Sequence, residues 1–154
     1  MALSVVAGCV ASVAPARAQR ERLTPDEYDY VYKTWPNVQK TSTGIRYLIE
    51  EPGKGRLAQP GDMVSVLYTG RLLDGTKFDE NWNPAHAFHF RLDRGQVIEG
   101  WDQILQYMRV GERRLVIIPA ELAYGDRGQE PKIPRDAVLV FDMKLIAAVP
   151  PPPE

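Results

Sequence analysis

Apolar and polar residues alternate in four segments after residue 44, and this spacing predicts strands with one face in a core. The alternating positions are Ile45, Tyr47 and Ile49; Val64, Val66 and Tyr68; Phe88, Phe90 and Leu92; and Leu139, Phe141, Met143 and Leu145. A denser apolar run over 113–118 predicts a further strand, and turn signals such as Asp74-Gly75 separate the segments. The pattern therefore predicts an antiparallel sheet.

Apolar residues recur at helical spacing in two segments of the chain. Ahead of Gly111, one short helix against the sheet is predicted by the spacing of Ile98, Trp101, Leu105 and Met108. Nearer the N-terminus, Thr24 and Pro25 have the residue types of a helix start, and Pro36 ends the run. One face of that helix holds Tyr28, Val31, Tyr32 and Trp35. We expect this face to pack on its own domain rather than form a dimer contact.

The first eighteen residues resemble a secretory signal. The apolar run from Leu3 to Ala14 is shorter than the roughly 20 residues that span a bilayer. It is followed by small residues suited to cleavage after Ala18, although no positive residue precedes it. We therefore expect an exported protein of the periplasm or cell envelope, with an organelle lumen as an alternative. Lipidation at Cys9 and a structural helix remain open, and membrane attachment is expected only with lipidated Cys9.

Composition and charge exclude several classes of function. The 154 residues are 44% apolar and 25% charged, which is typical of one globular domain. The net charge of −1 gives no global field for nucleic acid or anionic membranes, and a single cysteine excludes an internal disulfide. His86 and His89 have no third ligand nearby, so no metal site is expected. No cofactor motif is present, and no acid, base or nucleophile constellation supports conventional catalysis.

Aromatic residues from six segments remain, and the motifs around them have a fixed order. By periodicity alone these residues are core. The motifs are VLYTG at 66–70, LDGTKFD at 73–79, QVIEGW at 96–101, VGER at 110–113, AYG at 123–125 and VFD at 140–142. This series resembles the FKBP-type peptidyl-prolyl isomerases, over about residues 43 to 147.

The resemblance implies an α+β fold in which a curved five- or six-stranded antiparallel sheet wraps around one short helix. The isomerase domain would span 43–148, after a signal peptide at 1–18 and an extension with a short helix at 19–42. Residues 149–154 would form a proline-rich tail. A hydrophobic pocket between sheet and helix would accept a proline side chain.

The resemblance also assigns site residues. Those carried over as catalytic are Tyr68, Asp79, Trp101, Tyr124 and Phe141, and those that bind substrate are Phe78, Phe88, Val97, Ile98 and Ile133. Trp101 would be the pocket floor, and the Tyr124 hydroxyl and Ile98 N–H would meet substrate carbonyls. Ile133 would be the apolar contact of a flap over 125–136.

Three regions depart from the family pattern. Pro84 stands where many members have an arginine that pairs with the pocket carboxylate, which leaves the orientation of Asp79 open. Gln129 and Lys132 alter the flap, and Gln96 replaces an acid. Because of Pro84 and the two changes in the flap, the affinity for macrolides also stays open.

The expected reaction is rotation about X-Pro bonds by desolvation and twisting in an apolar pocket, in support of the folding of exported proteins. The expected partners are proline-containing polypeptides and macrolide inhibitors. A non-catalytic holdase or assembly module on the same fold is the alternative, motivated by the altered flap and the aromatic face of the first helix. Client proteins and oligomeric state are not determined by the sequence.

Overall fold

The computed structural model describes residues 21–154, so the predicted signal segment and Cys9 lie outside the described residues. The helices are α1 (Pro25–Thr34) and α2 (Glu99–Leu105), and the strands are β1 (Gln39–Lys40), β2 (Arg46–Glu51), β3 (Met63–Leu72), β4 (Lys77–Asn81), β5 (Phe88–Arg91), β6 (Arg113–Ile118) and β7 (Leu139–Val149). No helix in this part of the chain combines the length and apolar character needed to cross a membrane.

The seven strands form one antiparallel sheet, in which six follow the order β1-β2-β6-β7-β3-β4 and β5 pairs with β3 beside β4. One edge of β3 pairs with β7 along its full length. Its other edge pairs with β5 near Met63 and with β4 near Tyr68. The predicted α+β fold is confirmed, and the count exceeds five or six because the two-residue β1 adds a strand.

A short 3₁₀ turn, Pro84–His86, separates β4 from β5 along the same edge of β3. The Ala85 N–H donates to Asn83 Oδ1 at 3.0 Å, and Asn81 Nδ2 donates to the His86 carbonyl at 2.9 Å. These bonds hold the turn in place, so the strand that follows begins at Phe88.

Helix α2 lies against one face of the sheet at very close range. A Cβ added at Gly100 would sit 2.6 Å from Ile118 Cγ2, so only glycine fits there. The buried residues Trp101, Ile104 and Leu105 join the main core as a result. The short helix predicted at this position is confirmed.

Helix α1 packs in a second cluster that α2 does not join. Val31 is fully buried with Ile117 and Val140 in this cluster, as the predicted packing on its own domain requires. Thr24 and Glu27 form a reciprocal capping box, which fixes where the helix begins. Tyr28 departs from the prediction, because it is 40% exposed and stacks on the ring of Tyr32.

The alternation predicted for the strand at 45–49 is only partly right. Ile45 is fully buried, but Ile49 is 46% exposed. The pairing of β2 with β6 shifts register between Ile49 and Glu51. Ile49 is the last residue of β2 in regular register, opposite Arg114, and at this point the strand has passed the margin of the core.

A buried carboxylate, Asp62, organises the turn that leads into β3. It accepts hydrogen bonds from the Arg56 guanidinium and from the Gln59 N–H at 2.8 Å. Burial opposes ionisation of Asp62, but the bonds from Arg56 and Gln59 outweigh it and hold the pKa of this carboxyl below its ordinary value. The ionised form is therefore the one that the fold stabilises.

We expect Asp62→Asn to lower the free energy of unfolding by about 1.5–3 kcal/mol at pH 7, because a charge-assisted bond is lost. The folded pKa lies below the unfolded value of about 3.9, so this stabilisation is complete above about pH 5 and is lost as the pH falls through the folded pKa. Urea unfolding of both proteins at pH 7 and pH 3 measures the difference, which should shrink at pH 3.

The matched control is Asp93→Asn, which changes an exposed acid without a side-chain hydrogen bond among the described residues. Its effect should stay within about 0.5 kcal/mol at both pH values. An equal cost for Asp62→Asn at pH 7 and pH 3 would contradict the assignment.

Candidate active site

A hollow of about 200 Å³ opens between the sheet and α2. Its lining consists of Tyr68, Phe78, Asp79, Phe88, Gln96, Val97, Ile98, Trp101, Tyr124 and Phe141. Nine of the ten residues assigned from sequence therefore meet around one space, and Ile133 does not. Their individual roles remain predictions.

Three aromatic rings form the deepest part of this hollow. Trp101, on α2, is only 5% exposed. The Tyr68 ring lies 5.0 Å from it and the Phe141 ring 5.2 Å from it, both nearly edge-on. Edge-to-face contacts of this kind fix ring orientation, so the floor is rigid and apolar.

The side walls depend on one glycine of β3. A Cβ added at Gly70 would lie 2.7 Å from Phe78 Cζ and 2.9 Å from Phe141 Cε1. Glycine therefore lets both rings lie against the strand. Phe88, on β5, completes another wall with its ring 6.0 Å from that of Trp101.

A loop ahead of α2 forms the last wall, and Asp102 anchors it. The buried Asp102 carboxylate accepts the N–H groups of Asp93 at 2.8 Å and Gly95 at 3.1 Å. Gln96 Oε1 accepts the Arg91 N–H at 3.0 Å. Within residues 21–154 no protein acceptor takes the Ile98 N–H, so that donor is available to a ligand.

Sequence reasoning missed Asp102 and did not name Gln96 as a site residue. A single acid within an apolar helical stretch does not change the hydrophobic periodicity. Its hydrogen-bond partners are backbone N–H groups, which the residue types in the sequence do not reveal. The only available sign was its place next to Trp101 in the motif region.

The carboxylate of Asp79 lies at the pocket edge, and its orientation is now defined. Tyr68 Oη donates to Asp79 Oδ2 at 2.6 Å, and the Glu80 N–H donates to Oδ1 at 2.9 Å. A phenol and a backbone amide therefore orient the carboxylate, although Pro84 takes the place of an arginine partner.

The two phenols of the site keep their protons strongly. Burial, the bond to Asp79 and the charge of Asp79 raise the pKa of Tyr68 well above its ordinary value. Burial and the charge of Asp79 also raise the pKa of Tyr124. Both hydroxyls are thus hydrogen-bond donors at neutral pH.

The flap forms a second hollow beside the first. Gln129 and Ile133 exchange backbone bonds of 2.8 and 3.0 Å, which makes a tight hairpin. Ile133 is buried and lines an adjoining space of about 390 Å³ that shares Phe78, Asp79 and Tyr124 with the pocket. The predicted contact of Ile133 with the pocket is therefore displaced to this neighbouring space, because its side chain joins the core beneath the hairpin.

The family model described as FKBP-type peptidyl-prolyl cis-trans isomerase matches residues 54–146. The chain is 45% identical over 109 residues to peptidyl-prolyl cis-trans isomerase FKBP2 of Homo sapiens, covering 70% of this chain and 75% of that protein. It is 43% identical over 110 residues to FKBP-type peptidyl-prolyl cis-trans isomerase FkpA of Aeromonas hydrophila, covering 71% of this chain and 40% of that protein.

Solved structures show the same similarity. Escherichia coli FkpA superposes with a TM-score of 0.73 at 38% identity, over 82% of this chain and 59% of that one. A peptidyl-prolyl cis-trans isomerase from Pseudomonas syringae has a TM-score of 0.71 at 35% identity, over 80% of this chain and 91% of that one.

We expect Asp79→Asn to lower the pKa of both Tyr68 and Tyr124, because it removes the negative charge that opposes phenolate formation at both. Both side chains stay buried in the variant, so neither tyrosine pKa should fall all the way to the ordinary value of about 10. NMR titration of labelled tyrosines measures both midpoints. Glu80→Gln, at the next position, is the control and should leave them unchanged; equal midpoints in wild type and Asp79→Asn would refute the electrostatic coupling.

Proposed function

The chain belongs to the FKBP-type peptidyl-prolyl cis-trans isomerases, enzymes that accelerate rotation about the bond preceding proline, and we propose that the hollow between the sheet and α2 is its active site. The observation that supports this site is the meeting of nine expected residues around one apolar space. Proline-containing polypeptides are the substrate class of the family.

The barrier of the reaction lies in amide resonance. Twisting an X-Pro bond costs about 20 kcal/mol, and uncatalysed rotation takes tens to hundreds of seconds. Water stabilises the planar, polar amide more than the twisted one. A site that removes this water and fits the twisted ring better than either planar isomer lowers the barrier without a covalent step.

The floor and walls of the hollow suit this task. Trp101 and Phe141 provide an edge-to-face surface against which a pyrrolidine ring packs. The Tyr124 hydroxyl, held protonated, and the Ile98 N–H donate to the carbonyls on either side of the twisting bond. These donors orient the peptide, and the apolar surface holds the ring.

Asp79 has an electrostatic role in this mechanism, not an acid–base role. Both of its oxygens already accept hydrogen bonds, from the Tyr68 hydroxyl and the Glu80 N–H. It therefore fixes the polarity of the pocket edge and the orientation of Tyr68. No proton transfer is required for rotation about the amide bond.

The holdase alternative was motivated by the altered flap and by the aromatic face of α1. Val31, at the centre of that face, is buried against the sheet, so the face serves the fold. This observation favours the catalytic function for the chain.

Export is a further part of the proposal. Cleavage after Ala18 would leave a chain starting at Gln19, two residues before Glu21. Glu21 pairs with the buried Arg46 at 2.7 Å, so this cut spares the first ion pair of the described fold. The apolar run at 3–14 and this cleavage position support export, and we propose a periplasmic or envelope location.

The mature N-terminus tests the export proposal. After expression of the full chain in a bacterium with a secretory pathway, mass spectrometry of the envelope fraction should give a chain beginning at Gln19. A product that retains residue 1 and stays in the cytosol would contradict export, and a lipid-modified Cys9 would replace cleavage after Ala18 with lipidation.

The activity test compares two tryptophans. Trp101→Leu should lower kcat/KM for an X-Pro peptide by at least about tenfold, or about 1.4 kcal/mol of transition-state stabilisation. Trp82→Leu is the control, because Trp82 lies outside the hollow and stacks on Arg113 instead. It should stay within about twofold of wild type. NMR exchange spectroscopy of the peptide measures the rates.

A second pair of variants tests the same site without changing its core. Tyr124→Phe removes only a hydroxyl and should lower kcat/KM by about three- to tenfold, the size of one hydrogen bond. Tyr107→Phe is the matched control, since Tyr107 is 67% exposed and outside the hollow. If Trp101→Leu and Tyr124→Phe are both folded and fully active, the reaction does not occur in this hollow.

A further inference from the structure

Five basic residues, four of them in three loops and Arg91 at the end of β5, lie at the end of the sheet where β3 begins and β7 ends. This basic end consists of Lys54, Arg56, Arg91, Arg94 and Arg109. Arg91 Nη1 donates to the Gly61 carbonyl at 3.1 Å, and a Cβ added at Gly61 would lie 2.9 Å from Arg94 Nη2.

The other cations join the same surface through the neighbouring loop. The Arg56 guanidinium pairs with Asp62, which directly follows Gly61. Arg109 Nη1 donates to the Gly55 carbonyl at 3.3 Å, and Lys54 directly precedes Gly55. Short contacts thus bring together charges that are up to 55 positions apart in the sequence.

Few acids balance this charge locally. Asp62 is buried against Arg56, and Glu112 is buried and paired with Arg114. Asp93 is the exposed acid of these loops. With Asp62, Asp93 and the Asp102 carboxylate that holds residues 93 and 95 counted, the five basic residues leave an excess of two positive charges, although the whole chain has a net charge of −1. The net charge of the whole chain is thus close to zero, while this end of the sheet is positive.

Apolar side chains are exposed among these cations. Met63 is 36% exposed and Val149 57% exposed, and they are direct partners across β3 and β7. Met63 is also the register partner of Arg91 on β5. The basic end therefore presents hydrocarbon and positive charge side by side.

We propose that the basic end docks the protein on the surface of an anionic lipid bilayer. Such a surface attracts clustered lysine and arginine and also accepts apolar side chains just below its headgroups. A nucleic acid backbone or acidic peptide matches the charge but not the exposed Met63–Val149 pair. None of the five basic residues lines the candidate active site.

Sedimentation with vesicles tests this docking. The full chain is mixed with vesicles of phosphatidylcholine alone or with about one-third phosphatidylglycerol. We expect binding only to the anionic vesicles, with loss of binding in high salt. The neutral vesicles measure any contribution of the apolar N-terminal run, which every variant shares.

The test variant is Lys54→Gln/Arg94→Gln/Arg109→Gln, which leaves the Arg56–Asp62 pair intact. It should weaken vesicle binding by at least about tenfold, because three charges near the surface are lost. The matched control, Lys33→Gln/Lys40→Gln/Arg71→Gln, removes the same charge from exposed residues elsewhere and should stay within about twofold. Equal loss in both variants would mean that only net charge matters, and would overturn the proposal.

Met63→Ser/Val149→Ser separates a bilayer from other polyanions. It should weaken vesicle binding by about two- to fivefold, because apolar area at the interface is lost. Sedimentation of wild type with neutral and anionic vesicles to the same extent would overturn the proposal. So would tighter binding to an oligonucleotide or polyglutamate than to anionic vesicles. Isomerase activity is a separate readout, so failure of docking would leave the proposed function intact.

Discussion

The close approach of α2 to the sheet is the constraint on which the site depends. Gly100 leaves no room for a side chain against Ile118, and Trp101 follows it directly. The helix therefore presses its tryptophan between Tyr68 and Phe141, from two adjacent strands, at centroid distances of 5.0 and 5.2 Å. Rings locked in this way cannot collapse into the space beside them, so a well-packed core and an open apolar hollow exist together.

Carboxylates shape the polar parts of this apolar site. Asp102 holds the loop that carries Ile98, and Asp79 is oriented by Tyr68. Each satisfies hydrogen-bond donors that would otherwise be left unpaired at low dielectric. The site thus uses acids as fixed acceptors that position its walls, which is consistent with a reaction that moves no proton.

The sequence predicted the strands and the convergence of the aromatic residues, because both leave periodic or ordered signals. It failed where a strand runs past the margin of the core or where the partners are backbone groups. Ile49 fits the alternation, yet it lies opposite Arg114 at the end of the regular pairing and is exposed. Ile133 belongs to a hairpin that buries it beside the pocket, and Asp102 contacts only main-chain amides through its carboxylate. Such contacts follow from three-dimensional placement, so residue type alone does not reveal them.

Strand β7 links the N-terminal extension to the catalytic hollow. Val140 packs in the cluster that contains Val31 of α1, while the next residue, Phe141, lines the hollow. Opposite faces of one strand thus serve two layers of the molecule. The extension therefore helps to hold the strand that carries Phe141. A substitution that changes the packing of the extension would have to be compensated by other residues of this cluster, none of which lines the hollow.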